Sequence, residues 1–146
     1  MGCGRVGSTL ALRLLREGHE VAIIDLNLAS FNRLGENFAG KMVLGSGLDE
    51  ETLRLAGIEH AEAFASVTNG DNRNLMAAQI AKEVFKVSRV ITRLYDPIRA
   101  QVYRELGLET FCSTSIGMAI IADFFATGSN RGPALESAAA TPTGAS

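Results

Sequence analysis

The sequence predicts an α/β fold with a doubly wound, mostly parallel sheet. Three observations predict it. Short apolar runs, rich in β-branched residues, alternate along the chain with stretches of helical spacing, the pattern that places helices on both faces of a parallel sheet. A glycine-rich turn, Gly2-Cys3-Gly4-Arg5-Val6-Gly7, stands directly before the first helical stretch. A carboxylate, Asp25, ends the first apolar run.

The turn has the spacing G-x-G-x-x-G. In that pattern the first glycine makes a tight turn, the second lets the backbone approach a pyrophosphate, and the third lets the helix pack closely on the sheet. The helix that follows would offer unpaired N–H groups and the positive end of its dipole to phosphates. Val6, Leu10, Leu14 and Leu15 follow at helical spacing, and Gly18 stops the helix. Val21-Ala22-Ile23-Ile24 then reads as a buried parallel strand. Asp25 lies 18 residues beyond Gly7, near the roughly 20 expected for the acidic residue that binds ribose hydroxyls. The joint pattern is Rossmann-like and points to a nucleotide. Such a fold also needs a central strand entering the glycine turn, and only Met1 precedes Gly2. The expectation is therefore that the first strand is missing from this chain.

The elements follow in order. Residues 26–34 read as a second helix, with Asn27 either as its N-cap or as a side chain reaching the sugar. Lys41-Met42-Val43-Leu44 is a strand, and Gly45-Ser46-Gly47 is a turn at its C-terminal edge, where open α/β sheets bind ligands. Asp49-Glu50-Glu51 falls in the first turn of the next helix, where the helix dipole explains three carboxylates without catalysis. Ala63–Val67 is a strand that ends in Thr68-Asn69-Gly70-Asp71-Asn72, polar residues suited to phosphate, ribose or the capping of a long helix over 72–85. Arg89–Leu94 is a strand, Asp96-Pro97 opens another helix, and Glu109–Cys112 is a last short strand. Residues 116–126 form a helix capped by Ser113, Thr114 or Ser115 and apolar nearly all round, with Asp123 its one charge. That favours burial against a second chain. Residues 127–146 read as a flexible tail or linker. The domain reading is thus 1–112 for nucleotide binding, 113–126 for dimerisation and 127–146 for the tail.

The totals narrow the function. With 146 residues, 47% apolar and 21% charged, the chain has the size and composition of one globular domain. A net charge of −2 gives no bulk electrostatic reason for nucleic-acid binding. Cys3 and Cys112 have neither C-x-x-C spacing nor a histidine at metal-ligand spacing, and read as structural thiols in a reducing compartment. No apolar run reaches the roughly 18–20 residues of a membrane span.

On these residues the chain resembles the nucleotide-binding lobe of the regulator-of-potassium-conductance (RCK) domain, of the Trk/Ktr potassium-uptake (TrkA-N) type. The resemblance rests on residues 2–7, on Gly18-His19-Glu20-Val21 with Ile24-Asp25, and on Leu53–Ile58. It continues through Val67–Asp71 with Asn74-Leu75, and through Thr92-Arg93 with Asp96-Pro97. It covers roughly residues 2 to 126. It implies an adenine nucleotide (ATP or ADP) or NAD(H) on the glycine loop. Gly2, Gly4, Arg5, Val6 and Gly7 would cradle the phosphates, with Arg5 as their charged partner. Asp25 would take the ribose, with Leu26 and Asn27 beside it. Ser46, Gly47 and Leu48 would flank the adenine, and Thr68 and Asn69 would sit near sugar or phosphate. It further implies a homodimer through the last helix, higher-order rings, and a cytoplasmic position beneath a membrane potassium channel or transporter. Ser46 stands where the family turn has an aspartate, and Ser113-Thr114-Ser115 stands where some members carry an acidic metal ligand, so no metal is expected. The second, smaller lobe of many members is not seen after residue 126.

The alternative is the cofactor domain of an NAD-dependent oxidoreductase. That requires a general acid or base beside the nicotinamide. His19 and His60 lie in turns away from the expected ligand edge, and Tyr95 and Tyr103 lack a paired lysine motif. The regulator is favoured, with no catalytic residues. NADPH is expected to bind worse than the other nucleotides, because Asp25 would repel a 2′-phosphate.

Overall fold

A computed structural model describes residues 1–129. It divides into two units, residues 1–112 and a second that begins at Ser113. The expected tail falls almost wholly outside the described residues.

In the first unit, helix α1 (Arg5–Arg16) precedes strand β1 (Ala22–Asp25), a 3₁₀ helix (Leu28–Leu34) and strand β2 (Lys41–Leu44). Helix α2 (Glu50–Leu55) leads to strand β3 (Ala63–Ser66), and helix α3 (Asp71–Gln79) to strand β4 (Arg89–Leu94). Helix α4 (Pro97–Glu105) and strand β5 (Glu109–Cys112) complete it. β1 pairs in parallel with β2, and β4 pairs in parallel with both β3 and β5. Met1 and Gly2 lie between these two groups of strands. The Gly2 N–H donates to the Ile24 carbonyl at 2.8 Å, and the Val67 N–H donates to the Met1 carbonyl at 3.0 Å. The Met1 amino group donates to the Ala65 carbonyl at 2.6 Å. Two residues thus carry the hydrogen bonding from β1 across to β3, where the central strand was expected.

The two faces of β1 show why the sheet is covered on both sides. Ile23 packs into one core with Cys3, Ala11, Phe31 and Leu34. Its neighbour Ile24 packs into the other, with Val43, Leu53, Phe64, Leu75 and Leu94. Successive strand residues point to opposite faces, so two adjacent isoleucines at 4% and 3% exposure require a core on each side.

Several elements differ from expectation. The second helix is a 3₁₀ helix, held at its start by the Asn27 side chain, which accepts from the Ala29 N–H at 3.0 Å. The long helix over 72–85 is α-helical only over Asp71–Gln79 and widens into a π-helical turn over Ile80–Val84. There the Phe85 N–H reaches the Ile80 carbonyl, and Lys86 (φ 56°) takes the left-handed position more usual for glycine. Asp49 caps α2 by accepting from the Thr52 N–H at 2.8 Å and from the Thr52 hydroxyl at 2.7 Å. Asp96 caps α4 ahead of Pro97, as expected from the sequence.

The second unit contains helix α5 (Ser113–Thr127). It starts directly after β5, so Ser113, Thr114 and Ser115 form its first turn and do not precede it as caps. No residue of α5 is buried, and Ile116, Met118, Ile121, Phe124 and Phe125 are all exposed.

Candidate nucleotide site

The C-terminal ends of β1, β2 and β3, together with the turn into α1, enclose a groove of about 310 Å³. Among the thirteen expected site residues, Gly2, Gly4, Asp25, Leu26, Gly47, Thr68 and Asn69 line it. Ser30, Arg33, Arg73 and Arg93 line it as well; none of these was picked out as a binding residue from the sequence.

The glycine loop is built from three different requirements. Gly2 has φ +98°, and a Cβ there would lie 3.0 Å from the Thr68 backbone nitrogen. Gly7 lies inside α1, where a Cβ would fall 1.8 Å from the Gly2 carbonyl oxygen. Helix α1 can therefore lie on the loop only if residue 7 has no side chain. Gly4 is different. Its φ of −77° suits any residue, and a Cβ there would meet nothing within 4 Å. Neither conformation nor packing in the protein calls for glycine at the one loop position that caps α1 and faces the groove.

Asp25 is held by the loop it was expected to serve. One carboxylate oxygen accepts from the Cys3 N–H at 2.7 Å and the other from the Asn27 N–H at 2.8 Å. The carboxylate so joins the end of β1 to the glycine loop and keeps lone pairs for a further donor. Burial and the nearby Asp25 raise the Cys3 thiol above its ordinary range, while Arg33 acts in the opposite sense. Burial also lowers the Met1 amino group to about 6, with Asp25 opposing.

The wall formed by the β3–α3 turn is organised by Asn74, which is fully buried. Its carbonyl oxygen Oδ1 accepts from the Thr68 N–H at 2.9 Å and the Thr68 hydroxyl at 2.7 Å. Its amide Nδ2 donates to the carbonyls of Thr68 at 2.8 Å and Arg93 at 3.0 Å. The Arg93 guanidinium donates to the same Thr68 carbonyl at 2.6 Å and stacks over the Tyr95 ring at 4.8 Å. Its Nε is buried with no hydrogen-bond partner. Asp71 ties the next turn in place by accepting from the N–H groups of Tyr95 and Asp96.

The other expected residues lie outside the groove. Arg5 and Val6 form the exposed first turn of α1. Gly7 serves helix packing, and Asn27 caps the 3₁₀ helix. The Ser46 hydroxyl accepts from the Leu48 N–H at 3.2 Å within the turn. Leu48 lines an adjoining hollow with Asp71, Met76 and Arg99. Neither His19 nor His60 lines the groove. Among the described residues no cluster of His, Cys, Asp or Glu is placed to hold a metal, and no helix is long and apolar enough to cross a membrane.

The charge balance of the groove is the remaining feature. Three arginines face it against one carboxylate. Among the described residues none of the three forms an ion pair. A groove with unpaired guanidiniums, an open glycine at a helix N-terminus and one ribose-type carboxylate suits a phosphorylated nucleoside.

The model of the TrkA-N domain matches residues 1–114. The chain belongs to the TrkA-N domain family. Over 110 residues it is 56% identical to the Trk system potassium uptake protein TrkA of Streptomyces coelicolor, covering 75% of this chain and 49% of that protein. Over 106 residues it is 35% identical to the TrkA homolog of Pyrococcus abyssi, covering 73% of this chain and 47% of that one. This TrkA-N chain therefore spans about half the length of these curated relatives. Among solved structures it is similar to the TrkA-N domain of the inner membrane protein ybaL from Escherichia coli. That match has a TM-score of 0.72 at 22% identity and covers 84% of this chain and 91% of the other. It is also similar to the Kef CTD of Shewanella denitrificans in its AMP-bound form, with a TM-score of 0.71 at 20% identity and coverage of 88% and 80%. At these identities the structural likeness establishes the Rossmann-like fold.

Proposed function

We propose that this TrkA-N chain is the ligand-sensing part of a potassium-uptake regulator, and that its groove binds an adenine nucleotide or NAD(H). Gly4 carries the reading. It is a glycine that neither the packing nor the backbone conformation of the fold requires, placed where a pyrophosphate would approach the N-terminus of α1. The unpaired arginines support the same class of ligand, and the relatives named as potassium uptake proteins support the biological setting. Asp25 would accept the ribose hydroxyls, and Thr68 and Asn69 the sugar or phosphate. Arg73 and Arg93 would balance the phosphate charge. The groove lining holds no histidine, lysine, tyrosine or cysteine to move a proton beside a nicotinamide, which favours sensing over catalysis.

Binding would act by selecting one geometry of a homodimer, or of a ring of dimers, beneath a membrane potassium channel or transporter. Such a ligand shifts the equilibrium only by its difference in affinity for the two states. The exposed apolar residues of α5 supply a surface suited to a second copy. The test is a thermal-shift titration with ATP, ADP, NAD⁺ and NADH. At 100 times its dissociation constant a ligand specific for the native state adds about 2.7 kcal/mol. No shift with any of the four refutes the reading.

A further inference from the structure

We propose that Arg33 and Ser30 form a second anion subsite at the ribose end of the groove, one that takes a 2′-phosphate and admits ligands of the NADP(H) class. The proposal rests on the reading of the groove as an adenine-nucleotide site and names a chemistry for one of its ends.

The 3₁₀ helix that follows β1 creates this wall. With about three residues per turn, side chains three apart stand one above the other. Phe31 and Leu34 share one face, and both are buried against Cys3, Ala11 and Ile23. Ser30 and Arg33 share the adjoining face, and both line the groove beside Asp25 and Leu26. Two links hold the helix in this rotation. Asn27 caps its first turn, and the Cys3 thiol donates to the Ser30 carbonyl at 3.3 Å, tying the helix to the glycine loop. Arg33 is thus brought to the groove by buried neighbours on its own helix, although its side chain is exposed.

The charge environment fits a phosphate there. Arg33 has no ion-pair partner among the described residues. The Asp25 carboxylate and the Arg33 guanidinium both act on the Cys3 thiol, in opposite senses, so the two charges belong to one neighbourhood. Each Asp25 oxygen already accepts a backbone N–H, which offsets part of the charge that would repel a 2′-phosphate. In folds of this type either an acidic residue at this point takes the ribose 2′-hydroxyl or an arginine nearby accommodates a 2′-phosphate. This chain presents both. A guanidinium binds phosphate with two parallel hydrogen bonds, and the Ser30 hydroxyl supplies a third donor on the same face. Asp25 alone disfavours a 2′-phosphate; Arg33, which shares its wall in the folded chain, reverses that expectation.

The experiment compares two pairs of ligands that differ only in the 2′-phosphate: NADPH against NADH, and adenosine 2′,5′-bisphosphate against 5′-AMP. Dissociation constants are measured by calorimetry for the unsubstituted chain, for Arg33→Gln and for Ser30→Ala. We expect the 2′-phosphorylated member of each pair to bind at least as tightly as its partner. Arg33→Gln should weaken that member by about tenfold or more, as for loss of a charged hydrogen bond, and leave the other within about threefold. Ser30→Ala should move the ratio in the same direction by less. Unliganded thermal melts of both variants should match the parent, since Arg33 is exposed. If 5′-AMP or NADH binds and the 2′-phosphorylated member binds tenfold more weakly, the subsite is refuted and the nucleotide reading stands. Equal weakening of both members by Arg33→Gln also refutes it. If no member of either pair binds and ATP and ADP fail as well, the nucleotide reading falls and takes the subsite with it.

Discussion

Gly4 and Gly7 stand three residues apart in one loop and make opposite predictions. At Gly7 an added methyl would fall 1.8 Å from the Gly2 carbonyl oxygen. A carbon and a carbonyl oxygen need more than about 3 Å, so α1 and the loop must separate by over an ångström in a packed region. Overpacking of this kind costs about 1–3 kcal/mol, and the gain of up to ~1 kcal/mol from replacing a helical glycine offsets part of it. A net loss of about 1–2 kcal/mol lowers Tm by roughly 4–10 °C in a domain of this size. At Gly4 the methyl meets nothing within 4 Å and the φ of −77° is unstrained. The loss of a tolerated N-cap glycine and the reduced freedom of the unfolded chain are each about 0.5–1 kcal/mol and of opposite sign. Gly4→Ala should therefore melt within about 2 °C of the parent. It should bind nucleotide at least tenfold more weakly, because the methyl would occupy the space where the pyrophosphate meets the α1 N–H groups. Unliganded melts and a nucleotide titration on both variants decide it. The reasoning is refuted if Gly4→Ala destabilises the free protein as Gly7→Ala does, or if it binds nucleotide like the parent.

Three further predictions follow from the site. Asn74→Ala strips four hydrogen bonds from a fully buried turn; it should cost about 3 kcal/mol in denaturant unfolding, and an unchanged midpoint would refute the role assigned to Asn74. The Asp49 carboxylate is held below its ordinary value of 3.8 by hydrogen bonds from the Thr52 hydroxyl and backbone. Its contribution is therefore complete above that value and lost as pH falls through the lower folded value, so the stability gap between the parent and Asp49→Ala should stay constant from neutral pH to about pH 4 and narrow only below it. Cys3 is fully buried with its thiol raised above the ordinary range, so it should resist alkylation in the native protein at neutral pH and react on unfolding; rapid native labelling of Cys3 would contradict its placement.

The fold was largely legible because its signals are local. Gly18 ends α1 with φ +87°, Asp96-Pro97 opens α4, and the apolar runs became parallel strands, three with the expected bounds and two within a residue of them. The widening of α3 after Gln79 was not legible, since it depends on one hydrogen bond of longer span that no spacing of side chains announces. The site was legible where the main chain makes it. Gly2, Gly4, Asp25 and Thr68-Asn69 reach the groove because they stand at strand ends or in the turn into α1. The groove's lining was not legible where a side chain's direction decides. Arg5 follows Gly4 in the loop motif, yet it is already in the first turn of α1 and outside the groove lining. Arg33, far from any motif, reaches the groove because Phe31 and Leu34 turn its helix. Asn74 entered the sequence reading only as part of the family resemblance; its burial and bonding were not legible, because a buried asparagine differs from an exposed one only in what surrounds it.

The Asn74 network also bears on what binding costs. A ligand that must order a loop spends part of its interaction energy on that ordering. Here the turn after β3 is already held. Thr68 is fixed through its N–H, hydroxyl and carbonyl, and the Arg93 guanidinium is bonded to that carbonyl and stacked on Tyr95. Asp71 extends the same restraint to the main chain at Tyr95 and Asp96, where α4 begins. A phosphate that draws Arg93 toward the groove therefore competes with the Thr68 carbonyl and the Tyr95 ring for one guanidinium.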